Sequence, residues 1–168
     1  MNKKILYLVL FLVIIFGVVS YLGLKNKEIE QIATKKVLLY YYNPEKDRSE
    51  DGNIKCSRDG LMAIEREIPV TKTPIRDTIN LLLKGKENLT EEDITQGITT
   101  EYSLEGLSLV EVNLKEDGTL ILKFDDPLNK TSGGSCRVGI LWFQIEATAK
   151  QFPEVKEVHF FPEELFQP

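Results

Sequence analysis

The chain has 168 residues, 42% of them hydrophobic and 28% charged, with a formal charge of −5. This composition belongs to a globular chain rather than a disordered one, and the length holds one ordinary domain plus an appendage. Lys3, Lys4, Lys25 and Lys27 all precede residue 35, so the remainder is more acidic still; this argues against nucleic acid as a partner, since such binding neutralises phosphates with basic patches.

The appendage comes first. Residues 5–24 ("ILYLVLFLVIIFGVVSYLGL") carry no charge and are long enough at helical rise to cross a hydrocarbon core about 30 Å thick. No A-x-A-like cleavage site follows, and no cysteine stands just beyond to take a lipid. The segment therefore reads as an uncleaved transmembrane helix with residues 1–4 in the cytoplasm. Lysines flank both ends, so the positive-inside count is nearly balanced; an N-terminal span before a large domain acts as a signal anchor, which places the domain outside the membrane. Residues 25–34 ("KNKEIEQIAT") are polar and read as a stalk.

The domain is expected over residues 35–162, with 163–168 a C-terminal tail. "KVLLYYYN" is β-branched and aromatic without polar alternation from Val37 to Tyr42, which predicts a strand covered on both faces. The next eighteen or so residues are rich in turn formers and poor in apolar ones, predicting an exposed loop that carries Cys56. "LMAIEREIP" alternates Met62, Ile64 and Ile68 against Glu65 and Glu67, a half-buried strand ended by Pro69. In "TKTPIRDTINLLLKGK", Thr73 sits at the N-cap, Pro74 at the first helical position and Gly85 past the end, and Ile75, Ile79, Leu82 and Leu83 form one apolar stripe. "LTEEDITQG" predicts a short helix capped by Thr90 and closed at Gly97.

Two alternating runs around Glu116, Asp117 and Gly118 predict a hairpin, with Val110, Val112 and Leu114 facing one way and Leu120, Leu122 and Phe124 answering. A second long helix is expected from Cys136 to Gln151, with Val138, Leu141, Trp142, Ile145 and Ala149 on one face; Pro153 stops it. "VKEVHFFP" supplies a last strand, Val158 and Phe160 inward, Glu157 and His159 outward. The order β-β-α-β-β-α-β implies a two-layer α+β domain, with the two main helices on one face of a mixed or antiparallel sheet.

A lysine, hydroxyls, a glycine pair and a cysteine stand together in "DDPLNKTSGGSCRVGILWF", residues 125–143. A Walker A loop places its lysine after the second glycine, whereas Lys130 precedes Gly133 and Gly134. Ser132, Gly133, Gly134 and Ser135 are left as candidate anion or ligand contacts at a helix start, against the plainer reading that Ser132 or Ser135 caps the helix. Cys136 in that first turn could act as a nucleophile if His159 met it in space, which would make the protein a cell-envelope enzyme or thiol protein. One histidine and two distant cysteines make no zinc site, so neither metal nor cofactor is expected, and no catalytic set emerges. Cys56 and Cys136 form an even pair in a chain expected outside the membrane; bridged, they would close a loop of about eighty residues worth roughly 4 to 5 kcal/mol, the alternative being two buried free thiols. Asn88 ("NLT") and Asn129 ("NKT") fit the glycosylation sequon.

The succession of "VLLYYYN", "LMAIEREIP", "TPIRDTINLLLKG", the "GITTEYSLEGLSLVEVNLKEDGTLILKFDD" segment, a Gly-Gly-Ser helix start and "TAKQFPEVKEVHFF" resembles the GerMN domain of sporulation and spore germination proteins. The resemblance implies a compact α+β domain displayed outside the cytoplasmic membrane, without known enzymatic activity, and similar to the ring-building modules of envelope secretion assemblies. Its expected partners are accordingly the membrane, through the anchor, and another protein or an envelope polymer, self-association included. The sequence departs from the sporulation proteins in having one copy rather than a tandem pair and a membrane helix rather than a lipidated cysteine.

Overall fold

The computed structural model describes residues 33–167, together with Lys3, Phe11 and residues 13–16. The expected anchor and stalk lie almost wholly outside these residues. Among those described, no helix is long and apolar enough to cross a membrane. The unit that begins at Thr34 carries the fold.

Its elements are β1 (Thr34–Tyr42), β2 (Leu61–Pro69), α1 (Pro74–Leu83), the short α2 (Glu91–Thr95), β3 (Ser108–Leu114), β4 (Thr119–Asp125), α3 (Ser135–Lys150) and β5 (Glu157–Phe161). The expected order holds. The expected single sheet does not: β1 and β2 form an antiparallel two-stranded ribbon, while β3, β4 and β5 form a separate sheet in that order, with β4 and β5 parallel. On the β1 side the cause lies along the strand's outer edge, where α3 and its C-cap occupy the groups a further strand would need. The Gln151 side-chain amide accepts from Leu38 N–H at 2.7 Å and donates to Leu38 C=O at 2.6 Å, and Thr148 Oγ1 accepts from Tyr40 N–H at 3.0 Å. Tyr42 then exchanges both main-chain bonds with Thr99. An edge whose donors and acceptors are already bonded offers no template for another strand.

The helices consequently join two sheets instead of lying on one. α1 touches β1, β2, β3 and α3, while α3 touches β1 and β5. Val37, Leu39 and Tyr41 of β1 point into the shared core with Ile79, Leu82, Leu120, Leu122, Leu141 and Ile145. The opposite face of β1, Leu38 and Tyr40, is only half-covered, short of the complete burial its apolar run predicts. The hairpin also differs in detail: a bulge at Val110 shifts the register between Leu109 and Glu111. One extra residue inverts the alternation, so Leu109 is buried while Val110 is 50% exposed.

At the end of α1, Gly85 takes φ +61° against the main chain of Tyr102, where any Cβ would collide. Thr90 caps α2 as expected, and the Asp93 side chain accepts from the Thr90 N–H in return. Beyond β5 the chain returns to the core, burying Leu165 and Phe166, and the Phe166 ring meets Phe160 edge-on at 5.0 Å. Trp142 approaches Phe160 from α3 at the same distance; such edge-to-face pairs add roughly 0.5–1.5 kcal/mol beyond their buried area.

Candidate functional site

The polar features singled out in the sequence converge near the start of α3, but as structural joints. Cys56 and Cys136 are bridged, with Cα atoms 5.2 Å apart and 80 residues between them in sequence. Neither is buried, Cys136 being exposed and Cys56 half-exposed, so the reading of two buried thiols is set aside. The bridge holds the loop over residues 43–60 against α3. Arg58 continues the contact, its guanidinium 4.1 Å from the centroid of the Phe143 ring and 2.5 Å from Glu146 Oε2.

That loop is exposed over most of its length, as its composition predicts, but it is organised around one buried residue. Asp47 lies at its centre with a fully buried side chain. It accepts from Ser57 N–H at 2.6 Å, from Ser57 Oγ at 2.5 Å and from the Tyr42 hydroxyl, and Lys55 Nζ stands 3.8 Å away. Burial by itself would raise the Asp47 pKa; the hydroxyls of Ser57 and Tyr42, the Ser57 N–H and the Lys55 charge outweigh it and hold the carboxyl below its ordinary range. Burial, joined by the same contact with Asp47, pushes the Tyr42 phenol well up. The sequence signal for this hub was faint: an aspartate in a 3-10 turn behind Pro44, capped by Asn43.

The turn before α3 has its own hub. Asp126 accepts from Lys130 N–H, Thr131 N–H and Thr131 Oγ1, each at 2.8 Å. Burial opposes ionisation here too, and the main-chain donors of Lys130 and Thr131 outweigh it, leaving the carboxyl below its usual range. Ser132, Gly133, Gly134 and Ser135 are exposed. The N-cap of α3 is Gly134, with no side-chain capping bond, because Ser132 Oγ turns back to Asn129 C=O; the serine cap read from the sequence is thus corrected. Arg137 crosses the loop instead, donating from Nη1 to the carbonyls of Lys130 (3.0 Å) and Ser132 (2.5 Å), and from Nε to Glu101 Oε2 (2.5 Å).

The remaining candidates are separated or engaged. The Cys136 sulfur is bonded to Cys56, and His159 lies exposed on β5 with Glu157 Oε2 at 3.5 Å from its Nε2. Among the described residues no group of three or more His, Cys, Asp or Glu could hold a metal ion. Asn88 donates to Leu81 C=O and the Tyr41 hydroxyl. Asn129 is exposed, but the hydroxyl of its sequon partner Thr131 is held by Asp126 and that residue is 1% exposed. Neither sequon presents both of its polar groups free.

Among curated proteins, none matches the chain. Among solved structures, the tandem GerMN domains of the sporulation protein GerM from Bacillus subtilis share its fold, with a TM-score of 0.53 at 22% identity over 82% of this chain and 43% of that one. The chain thus spans less than half of that tandem protein. The first GerMN domain of the same protein gives a TM-score of 0.47 at 17% identity, covering 74% of this chain and 80% of that chain. A putative lipoprotein from Clostridium perfringens gives 0.38 at 14% identity over 77% of this chain and 75% of that chain. The Germane family, described as sporulation and spore germination, matches residues 38–163. This chain therefore belongs to the Germane family, and the unit beginning at Thr34 is a GerMN-like domain.

Proposed function

We propose that the protein is a non-catalytic interaction domain held at the outer face of a bacterial cytoplasmic membrane by residues 5–24, where it binds another protein or an envelope polymer, in sporulation or germination as its family description suggests. The observation that carries the reading is how the polar residues are used. Asp47 and Asp126 are consumed in closing two loops, and Arg137 and the cysteine pair in tying those loops to α3, a scaffold for presenting a surface. The disulfide supports an oxidising location. Photo-crosslinking of the full chain in membranes of producing cells, together with protease accessibility on intact protoplasts, tests it: the domain is expected to be accessible from outside and to crosslink to a defined protein. A domain digested only after lysis would sink the reading.

A second reading, an envelope thiol protein acting through Cys136, draws on one fact: Cys136 is exposed in the first turn of α3. It requires a free thiolate in the working state. A maleimide that labels Cys136 in untreated cells would favour it; labelling only after reduction would favour the scaffold.

A further inference from the structure

The two long edges of the β1–β2 ribbon are finished differently. Leu38 and Tyr40 direct their main-chain N–H groups away from β2 to reach α3. In the register, Leu38 stands opposite Glu65, Tyr40 opposite Ala63 and Lys36 opposite Glu67. Directly opposed residues of an antiparallel pair share one parity, so the main-chain groups of Ala63, Glu65 and Glu67 point away from β1. Among the described residues the N–H groups of these three meet no acceptor, and of their carbonyls only that of Glu65 is engaged, by the guanidinium of Arg66 at 2.8 Å. All three residues are exposed. An unpaired strand edge of this kind is a template for one more strand.

We propose that the outer edge of β2 is a docking site for an extended, basic segment of a partner protein, which adds as a third strand beside Ala63, Glu65 and Glu67. The charge pattern selects the occupant. The solvent-facing side of the ribbon carries two carboxylates, Glu65 and Glu67, against the one ammonium of Lys36, which pairs with Glu65 at 2.7 Å and stands opposite Glu67; among the described residues Glu67 accepts a hydrogen bond from the Thr34 hydroxyl at 3.0 Å. Alternate side chains of the incoming strand lie next to these carboxylates, where lysine or arginine forms cross-strand pairs. A second copy fits poorly, since antiparallel self-pairing centred on Glu65 sets that carboxylate against itself on a chain already at −5. Pro69, without an N–H, ends the edge and bounds the docked segment. The proposal deepens the interaction reading above and rests on it.

The test uses the full chain in neutral detergent, with a ten-residue peptide alternating valine and lysine as the probe and a valine–glutamate peptide as its counterpart. The lysine peptide is expected to bind and to slow amide exchange of Ala63, Glu65 and Glu67 by about tenfold or more, while the glutamate peptide does neither. Methylating alternate peptide nitrogens on the bonding edge should abolish binding without touching the protein. A Glu65→Lys, Glu67→Lys double variant should reverse the preference by about tenfold. Protection of these amides before peptide is added, or binding indifferent to N-methylation, would overturn the proposal. A photo-crosslinker at Ala63 separates the two readings in cells: capture there of a partner through a basic segment supports the docking edge. Crosslinks confined to other faces overturn the edge and leave the interaction reading standing, and none at any face overturns both.

Discussion

Residues 43–60 and 126–135 are both polar, turn-rich loops, and each is organised by one aspartate accepting three hydrogen bonds. Asp126 draws all its donors from four and five residues ahead, so its turn is closed locally. Asp47 draws on Ser57, ten residues ahead, and on Tyr42 at the end of β1, so its loop is closed over a distance and around a fully buried carboxylate. The disulfide is the seam between the two, joining Cys56 of one loop to the first turn of the helix that follows the other. Loops of like composition can thus differ in what they depend on: one on its own sequence, the other on the strand and helix around it.

Removing the seam should have the largest effect. Replacing both cysteines by serine releases a cross-link across 80 residues, for which the chain-entropy argument gives a loss of about 4.5 kcal/mol in chemical unfolding. With Asp47 and the Arg58 contacts intact, the Ser57 amide of the folded variant should nevertheless remain protected from exchange. If Ser57 exchanges at the rate of a free loop, Asp47 is a passenger of the disulfide and not an independent hub.

Next in size is Asp47→Asn, which keeps the shape and replaces one acceptor oxygen by a donor facing Ser57 or Tyr42. An orphaned buried donor together with a lost charged acceptor predicts about 3 kcal/mol of destabilisation. Asp126→Asn, at a half-buried site where water can compensate, should cost about 1 kcal/mol. Urea unfolding of the two variants checks the order. Equal losses would mean that the distinction between the loops is only geometric.

Local structure was legible where the cause was local. Thr90 and Asp93, Pro74 and Gly85, and the Glu116-Asp117-Gly118 turn act within a few residues of themselves, and their elements stand where the sequence places them. The bulge at Val110 was not legible, because both alternations around it look regular and only the partner strand reveals the extra residue. Neither was the division into two sheets, to which Gln151 and Thr148 contribute by closing the outer edge of β1 from more than 100 positions away. The cysteines were readable as a pair from context. Asp47 was lost among the many turn-forming residues of its loop, since what marks it is burial under Tyr42, a tertiary fact.

The smallest effect, and the one that separates the hubs most finely, is that of acid. Both carboxyls are held below the ordinary aspartate value of 3.8. A depressed folded-state pKa gives stability that is present in full above the unfolded value and is lost as pH falls through the folded one. The stability gap between the parent protein and Asp47→Asn should therefore be flat from neutral pH down to about 5 and shrink below about 4 as the carboxylate takes up its proton. The gap for Asp126→Asn should close over the same window from a smaller starting value. Urea midpoints along a pH series read both. A gap that widens on acidification would mean that Asp47 folds in protonated, donating to Tyr42 instead of accepting from it, and the hydrogen bond at the centre of the longer loop would run the other way.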